Sequence, residues 1–169
     1  MRRLLLAVAL LASMSSACVA PRIQHPEALP RYAGSVTTDD GWTLPLFHTP
    51  PSGGEGSPAY GTPVLLAHGT AVNRTNYMHE GSDLAAFLAA AGFDVWVPEF
   101  RGDRTSEPPS AAALRSGDWD VDRIASQDLP RALDHVLATT GRSTAFVVGH
   151  SLGGILGYVL AQGPHGHKL

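Results

Sequence analysis

The sequence predicts an α/β fold in which a mostly parallel sheet is flanked by helices. From residue 64 onward, short apolar segments of strand length alternate with longer helical segments. This alternation is typical of a parallel sheet that helices cover on both faces. The chain has 169 residues, of which 44% are hydrophobic and 16% are charged. That length suits one globular domain rather than two, and the composition excludes a disordered chain or a coiled coil.

The first 17 residues form a segment typical of exported proteins. Arg2 and Arg3 precede the apolar run Leu4 to Ala12, and small residues follow as far as Ala17. This order predicts a signal peptide over residues 1–17. The apolar run is far shorter than the roughly 20 residues that a membrane-spanning helix requires. We therefore expect an exported protein, either secreted or held in the periplasm or outer envelope.

The chain has one cysteine, Cys18, which would be the first residue after cleavage. Its position resembles that of the lipid-carrying cysteine of bacterial lipoproteins, although Ser15 stands where such signals usually have an aliphatic residue. Two interpretations stay open. Either Cys18 carries a lipid that attaches the protein to a membrane, or the signal is a plain secretory one and the cysteine is incidental. A single cysteine excludes an internal disulfide framework.

The next elements are a tether and a hairpin. Residues 18–33 contain three prolines and predict a tether, so we expect the folded domain over residues 34–169. A β-hairpin is predicted over residues 34–49, because an Asp-Asp-Gly turn at residues 39–41 separates two segments rich in strand-forming residues. Gly, Pro and Ser then predict an exposed loop over residues 50–63.

The remaining elements follow from apolar segments and from the residues that bound them. Ser82 is expected to begin a helix that Gly92 ends, and Pro130 must kink its helix or begin a new one because proline lacks a backbone N–H. We predict strands over residues 64–67, 93–97 and 144–148, helices over residues 82–91, 120–138 and 152–162, and a long loop over residues 98–117.

Charge and motifs exclude several classes of partner. The chain has 12 basic and 15 acidic residues for a net charge of −3, and the loss of Arg2 and Arg3 with the signal peptide makes the remainder −5. Nucleic acid is therefore not expected as a partner. A dinucleotide-binding G-x-G-x-x-G turn is excluded because Ser151 stands at its third position. We expect no cofactor and no metal, and the sequence leaves the oligomeric state open.

A candidate catalytic site follows the last predicted strand. Gly149-His150-Ser151-Leu152-Gly153 has the pattern G-x-S-x-G between a strand and a helix. This pattern forms a sharp turn, the nucleophile elbow, at which the serine hydroxyl points out over the sheet. Glycines flank the serine because larger side chains do not fit beside so tight a turn. We expect Ser151 to be a nucleophile.

Two backbone N–H groups are candidates for stabilising an oxyanion. Acyl transfer needs one donor from the residue after the nucleophile and one from the loop after an earlier strand. Here these donors would be the N–H groups of Leu152 and Thr70, the second of which follows His68-Gly69. We expect His68 to anchor this loop and assign it no base chemistry. The alternative is that His68 and Gly69 form only a strand end and a turn.

These segments resemble the α/β-hydrolase superfamily and, within it, the acid lipases of gastric and lysosomal type. In the family's order, the shared segments are residues 66–69, 75–77, 93–97, 101–102, 128–130 and 149–153. The resemblance implies hydrolysis of a lipid or small-molecule carboxylic ester through an acyl-serine intermediate. Amide, thioester or polyester hydrolysis on the same machinery stays open.

The other two groups of a serine-hydrolase triad are not predicted in this sequence. They follow the serine in the order Asp or Glu, then His, but the 18 residues after Ser151 contain no Asp or Glu. His165 and His167 would lie about 20 Å along the last helix at 1.5 Å per residue, so we expect a solvated tail there. The acids before the serine are expected in loops and at helix starts; they are Asp94, Glu99, Asp103, Asp118, Asp120 and Asp122.

The resemblance further implies that three strands with their helices would follow Leu169. We therefore expect this chain to be the N-terminal portion of a longer enzyme, inactive by itself, and poorly soluble because its last strand would be an unpaired sheet edge. The alternative is a non-catalytic envelope lipoprotein that uses the fold as a binding scaffold.

Overall fold

The computed structural model describes residues 32–52, 59–79, 81–116 and 120–169. The predicted signal peptide, Cys18 and most of the tether lie outside these residues. In the part of the chain that the structure describes, no helix has the length and apolar character needed to cross a membrane.

The described residues alternate between strands and helices as the apolar segments predict. The strands are β1 (Tyr32–Thr37), β2 (Thr43–Thr49), β3 (Pro63–Ala67), β4 (Asp94–Pro98) and β5 (Phe146–Gly149). The α-helices are α1 (Leu84–Ala90), α2 (Ala111–Ser116), the single turn α3 (Val121–Arg123), α4 (Leu129–Thr140) and α5 (Leu152–Gln162). A π turn (Ile124–Asp128) joins α3 to α4, and 3-10 turns lie at Arg74–Asn76 and Gly166–Lys168.

The five strands form one mixed sheet in the order β1-β2-β4-β3-β5. The pairs β3/β4 and β3/β5 are parallel, whereas β1/β2 and β2/β4 are antiparallel. Four strands therefore run in one direction and β2 alone among them runs in the other. The predicted fold class and the predicted hairpin are confirmed. The sequence pattern did not reveal that β2 lies next to β4, because that pairing joins segments about 50 residues apart in the chain.

Apolar side chains of the sheet alternate between two cores. Leu65 and Trp96 face α4 and α5, where they pack in a cluster that includes Leu133 and Leu156. On the opposite face, their neighbours in β3 and β4 pack against α1 in a second cluster that includes Val64, Leu66, Val95, Ala85 and Ala89. Successive strand residues point to opposite faces of a sheet, so five-residue strands buried throughout require this double cover.

Several elements differ from the sequence prediction, most of them by one or two residues at an end. Strand β1 begins at Tyr32, inside the predicted tether. Helix α1 is capped by Asp83 rather than by Ser82, because the Asp83 carboxylate accepts the N–H of Ala86 at 2.7 Å. The predicted loop over residues 98–117 contains α2, a short helix with no buried residue. Because α2 buries no face and has only six residues, it leaves no periodic signal in the sequence.

The predicted helix over residues 120–138 is divided as its proline requires. Pro130 lies in the first turn of α4, directly after a π turn, so its missing N–H falls where the regular α-helical hydrogen bonds are already interrupted. The π turn immediately before it places Asp128 in a fully buried position. Gly141 ends α4 in the left-handed region at φ 66°. The chain then enters β5.

Strand β5 and helix α5 leave apolar side chains exposed at one edge of the sheet. Phe146 and Val148 of β5 are 58% and 41% exposed. On α5, Ile155, Tyr158 and Val159 are likewise exposed. The double cover of the sheet is therefore incomplete at β5 within the described residues.

Candidate active site

The loops after β3 and β5 leave the sheet side by side. The two strands are parallel neighbours, with Ala67 of β3 opposite Gly149 of β5. Gly69 lies directly against the next turn, because a Cβ built on it would lie 3.1 Å from the Cβ of Ser151 and 3.1 Å from Nδ1 of His150. The fold therefore brings the two predicted segments, His68-Gly69-Thr70 and the elbow, into contact.

The backbone at Ser151 has the strained form of a nucleophile elbow. Its φ of 53° and ψ of −119° are unusual for a residue other than glycine. Helix α5 begins at the next residue, and the N–H of Gly153 donates to the carbonyl of His150 at 2.9 Å. The Ser151 residue is exposed. This is the geometry that exposes a serine hydroxyl at the C-terminal edge of a sheet.

Two glycines permit the close packing of this turn. A Cβ on Gly149 would collide with the backbone of Gly153, and a Cβ on Gly153 would collide with the carbonyl group of Ala67. Both collisions are with backbone, which cannot move aside as a flexible side chain can. The glycine requirement that the sequence motif implies is therefore met at both positions.

The expected oxyanion donors lie on either side of the contact. Thr70 is exposed at the tip of the loop after β3, and Leu152 is the first residue of α5. Within the described residues, neither of these two N–H groups donates to another protein group. Ala71, which follows Thr70, has a φ of 59° and is strained for a residue with a side chain.

Tyr77 forms a hydrogen bond beneath the contact between the loop after β3 and the elbow. Its hydroxyl donates to the carbonyl of Ala67 at 2.8 Å, and the N–H of His150 donates to that same carbonyl at 3.1 Å. Burial raises the pKa of the Tyr77 phenol, while the nearby N–H of His150 opposes the shift. Sequence reasoning did not assign Tyr77 to the site, although it lies in one of the segments that carry the resemblance.

His68 lies beneath the loop that carries Thr70. Its Nδ1 is 3.0 Å from the carbonyl oxygen of Gly69, and its ring packs on Phe100 with centroids 4.6 Å apart. Burial lowers the pKa of His68. Its Nε2 is 3.4 Å from Oε2 of Glu99, which also accepts hydrogen bonds from Arg74.

The described residues do not supply a base to Ser151. Within residues 32–52, 59–79, 81–116 and 120–169, no hydrogen bond joins the Ser151 hydroxyl to a histidine or a carboxylate. His165 instead lies 3.3 Å from Asp134 of α4, and Lys168 donates to the same carboxylate at 2.6 Å. This tail is thus tied to α4 rather than freely solvated. The same part of the chain holds no cluster of three or more metal-ligating side chains.

A comparison with protein families decides the relationship. The family described as alpha/beta hydrolase fold matches residues 62–165. The chain belongs to this family. The matched segment begins just before β3 and includes His68-Gly69-Thr70, the G-x-S-x-G turn and α5. The resemblance predicted from the sequence, to an α/β hydrolase of lipase type, is confirmed.

Individual relatives of this α/β hydrolase are lipases. Lipase lipl-3 of Caenorhabditis elegans is 36% identical over 146 residues, which are 79% of this chain and 35% of that protein. Lysosomal acid lipase/cholesteryl ester hydrolase of Homo sapiens is 32% identical over 130 residues, which are 73% of this chain and 33% of that protein. The chain thus spans about a third of the length of the curated relatives it matches.

A solved structure shares the fold of this α/β hydrolase. The crystal structure of epoxide hydrolase VrEH1 from Vigna radiata matches with a TM-score of 0.58 and 20% sequence identity, over 80% of this chain and 36% of that one. At this identity the likeness shows a common fold.

A second buried ionic network joins distant parts of the hydrolase domain. The Arg101 side chain is fully buried and donates to Asp128 before α4 at 2.8 Å and to Asp40 in the hairpin turn at 2.7 Å. Burial raises the pKa of Asp128 to about 6, and the hydrogen bond from Arg101 lowers the pKa of Asp40. The network ties the hairpin and α4 to the loop after β4.

The expectation that the acids before Ser151 lie in loops and at helix starts is wrong for Asp94. Asp94 is buried as the first residue of β4, whereas Glu99 lies in the loop after β4, as expected, and is 0% exposed there. Asp120 does cap a helix, because its carboxylate accepts the N–H of Arg123 at 2.8 Å. No local signal marks Glu99, because its partner Arg74 lies 25 residues earlier in the chain.

Proposed function

We propose that this protein hydrolyses carboxylic esters by a serine nucleophile, Ser151. The single observation that carries the proposal is the backbone of Ser151, held at a φ of 53° between β5 and α5. Such strain costs about 1–3 kcal/mol and is characteristic of functional positions. At a strand-to-helix turn it is the form that lifts a serine hydroxyl above the sheet.

The proposed reaction proceeds through two steps at Ser151. Its oxygen attacks the ester carbonyl carbon, its proton passes to a base, and the N–H groups of Thr70 and Leu152 donate to the oxyanion that forms. When the tetrahedral intermediate collapses, the alcohol leaves with that proton and an acyl-serine remains. Water then attacks the acyl carbon, releases the acid and restores the serine. We propose that the base, a histidine, and its orienting carboxylate come from outside the described residues.

A lipid ester is the substrate class that we favour. The relatives are named as lipases, and one of them as a cholesteryl ester hydrolase. The elbow accommodates amide and thioester carbonyls equally, so the preference for esters comes from those relatives. Competition between a triacylglycerol emulsion and a short soluble ester for the complete enzyme would measure this preference.

Export and membrane attachment form a separate proposal. Residues 1–17 would be removed, and Cys18 would either carry a lipid or stay free. Mass spectrometry of the mature N-terminal peptide distinguishes the two, with Cys18→Ser as the control. A diacylglyceryl mass on Cys18 supports an envelope lipoprotein, and an unmodified N-terminus supports secretion. A retained Met1 would contradict export by this signal.

Fluorophosphonate labelling tests the nucleophile. A serine held in an elbow beside two free N–H donors should react at least about tenfold faster than an ordinary exposed serine, even without its base. Ser143, which is exposed before β5, is the matched internal reference. We expect intact mass to show one rapid adduct, mapped to Ser151 and lost in Ser151→Ala. Equal labelling of Ser151 and Ser143 would contradict the proposal and favour a non-catalytic scaffold.

A further inference from the structure

We propose that Glu99 is a positioning residue which holds both ends of the loop that carries Thr70. We call residues 68–74 the oxyanion loop. The inference rests on the proposed function, because it concerns how the Thr70 donor is held in place. Glu99 touches no reacting atom and would act through this loop.

One carboxylate contacts the first and the last residue of the oxyanion loop. At the start of the loop, His68 Nε2 lies 3.4 Å from Glu99 Oε2. At its end, the backbone N–H of Arg74 donates to Oε1 and Oε2 of Glu99 at 3.3 and 3.2 Å. The Arg74 guanidinium adds a third hydrogen bond, from Nη1 to Oε1 at 2.8 Å.

Glu99 is itself fixed by the sheet. Its backbone N–H donates to the carbonyl of Pro45 in β2 at 2.9 Å, and its side chain is fully buried. The Arg74 and His68 residues are only 5% and 6% exposed. In such a low-dielectric setting, charge-assisted hydrogen bonds are strong and restrict motion. Glu99 therefore fixes the positions of both ends of the loop relative to the sheet.

The segment between these ends needs such support. Ala71 keeps a φ of 59° next to the exposed Thr70. A strained residue of this kind persists only when the surrounding structure holds it. The clamp at His68 and Arg74 supplies that constraint and so fixes the direction of the Thr70 N–H.

The contact between Glu99 and His68 depends on protonation, whereas the contact between Glu99 and Arg74 does not. Burial raises the pKa of Glu99 to about 7, with Asp103 adding to the shift and Arg74 opposing it, while burial lowers the pKa of His68. These directions favour a neutral pair at acidic pH, in which the Glu99 hydroxyl donates to His68 Nε2 and His68 Nδ1–H donates to the Gly69 carbonyl. Above pH 7, Glu99 loses this proton to solvent, and the carboxylate then faces the lone pair of Nε2. The Glu99 hydrogen bond to the His68 end of the loop is then lost, and within the described residues Nε2 keeps only the backbone N–H of Phe100 at 3.4 Å, while the Arg74 end stays held.

Amide NMR of the full chain tests the clamp without any catalytic activity. We expect the Thr70 amide chemical shift to titrate with a midpoint near pH 7, and its backbone nitrogen relaxation to report a more rigid loop below that pH. The Leu152 amide, in the other half of the site, should show no such transition. In Glu99→Gln the side-chain amide can still donate to His68, so the acidic form of the loop should persist at every pH. A Thr70 titration that is unchanged in Glu99→Gln would overturn the inference.

Two further variants separate positioning from general stability. Asp103→Asn removes a charge that raises the pKa of Glu99, and it removes no contact to the oxyanion loop. It should therefore lower the midpoint of the Thr70 titration and leave the size of the shift change unaltered. Glu99→Leu is similar in size but cannot form hydrogen bonds, and we expect backbone nitrogen relaxation at Thr70 to report a mobile loop at every pH. Unchanged relaxation at Thr70 in a folded Glu99→Leu protein would also overturn the inference. If Glu99→Leu does not fold, the comparison of the Thr70 titration in wild type and in Glu99→Gln tests the inference.

The labelling rate of Ser151 distinguishes the two proposals. In Glu99→Leu the rate should fall about tenfold, because the phosphonyl oxygen loses an oriented donor, and in Glu99→Gln it should recover. An unchanged rate in Glu99→Leu would contradict the positioning role alone. If wild-type Ser151 does not label, the proposed function fails, and the Thr70 titration still decides whether Glu99 holds the loop.

Discussion

The two loops that meet at the candidate site are held in different ways. The oxyanion loop lies over buried ionic partners, with Glu99 at 0% exposure beneath it. The elbow has no such partners among the described residues and is shaped by backbone contacts at Gly149 and Gly153. Its supporting elements, β5 and α5, also carry the exposed apolar side chains. One half of the site is thus fixed by electrostatics inside the domain, and the other by steric fit at an edge.

This difference teaches which changes each half tolerates. A buried charge pair fails when one partner is removed, because the other charge is left unpaired. A sterically closed turn fails when any atom is added. An exposed apolar edge tolerates substitution in the monomer but promotes association between molecules. The Glu99 variants described above test the buried charge pair, and the predictions below test the closed turn and the exposed edge.

The largest effect is expected from Gly153→Ala. Its new Cβ would collide with the Ala67 carbonyl, so the elbow or β3 must shift. We expect a loss of more than about 3 kcal/mol in the free energy of unfolding, as for other overpacked or strained core sites. Gly157→Ala is the control, because its Cβ would meet only a Val147 methyl at 3.7 Å. In an α5 interior this control should gain about 0.5–1 kcal/mol. Similar melting of both variants in urea would contradict the steric account.

An intermediate effect separates the two faces of α5. Leu156 is fully buried, whereas its neighbour Ile155 is 58% exposed. Truncation of Leu156 to alanine should cost about 2–5 kcal/mol through lost burial and a cavity. Ile155→Ala should change stability by no more than about 0.5 kcal/mol. Chemical denaturation measures both values, and a cost for Ile155→Ala close to that of Leu156→Ala would show that the exposed face is in fact covered.

The smallest change in monomer stability is expected from charges on the exposed face. Ile155→Lys with Tyr158→Lys should leave the melting temperature nearly unchanged and reduce concentration-dependent association, because charged residues oppose edge contacts. Light scattering over a concentration series measures association. A wild-type chain that stays monomeric at every concentration would contradict the expected poor solubility, which stays a prediction here.

Local patterns predict most of the fold, and they predict the elbow down to single residues. Helix α5 begins and ends where the apolar segment does, and the G-x-S-x-G motif coincides with the strained turn. The sequence does not reveal α2, which buries nothing. The sequence also does not reveal the buried ionic networks. Arg101 and Asp40 are 61 residues apart, and only the pairing of β2 with β4 brings them together.

The most direct test of the account is a crystal structure of the fluorophosphonate adduct, because the phosphonyl oxygen mimics the oxyanion. The account predicts an adduct on Ser151 with this oxygen about 2.7–3.1 Å from the N–H groups of both Thr70 and Leu152. An adduct on another residue, or an oxygen on Ser151 that points to solvent, would contradict the assignment of this site.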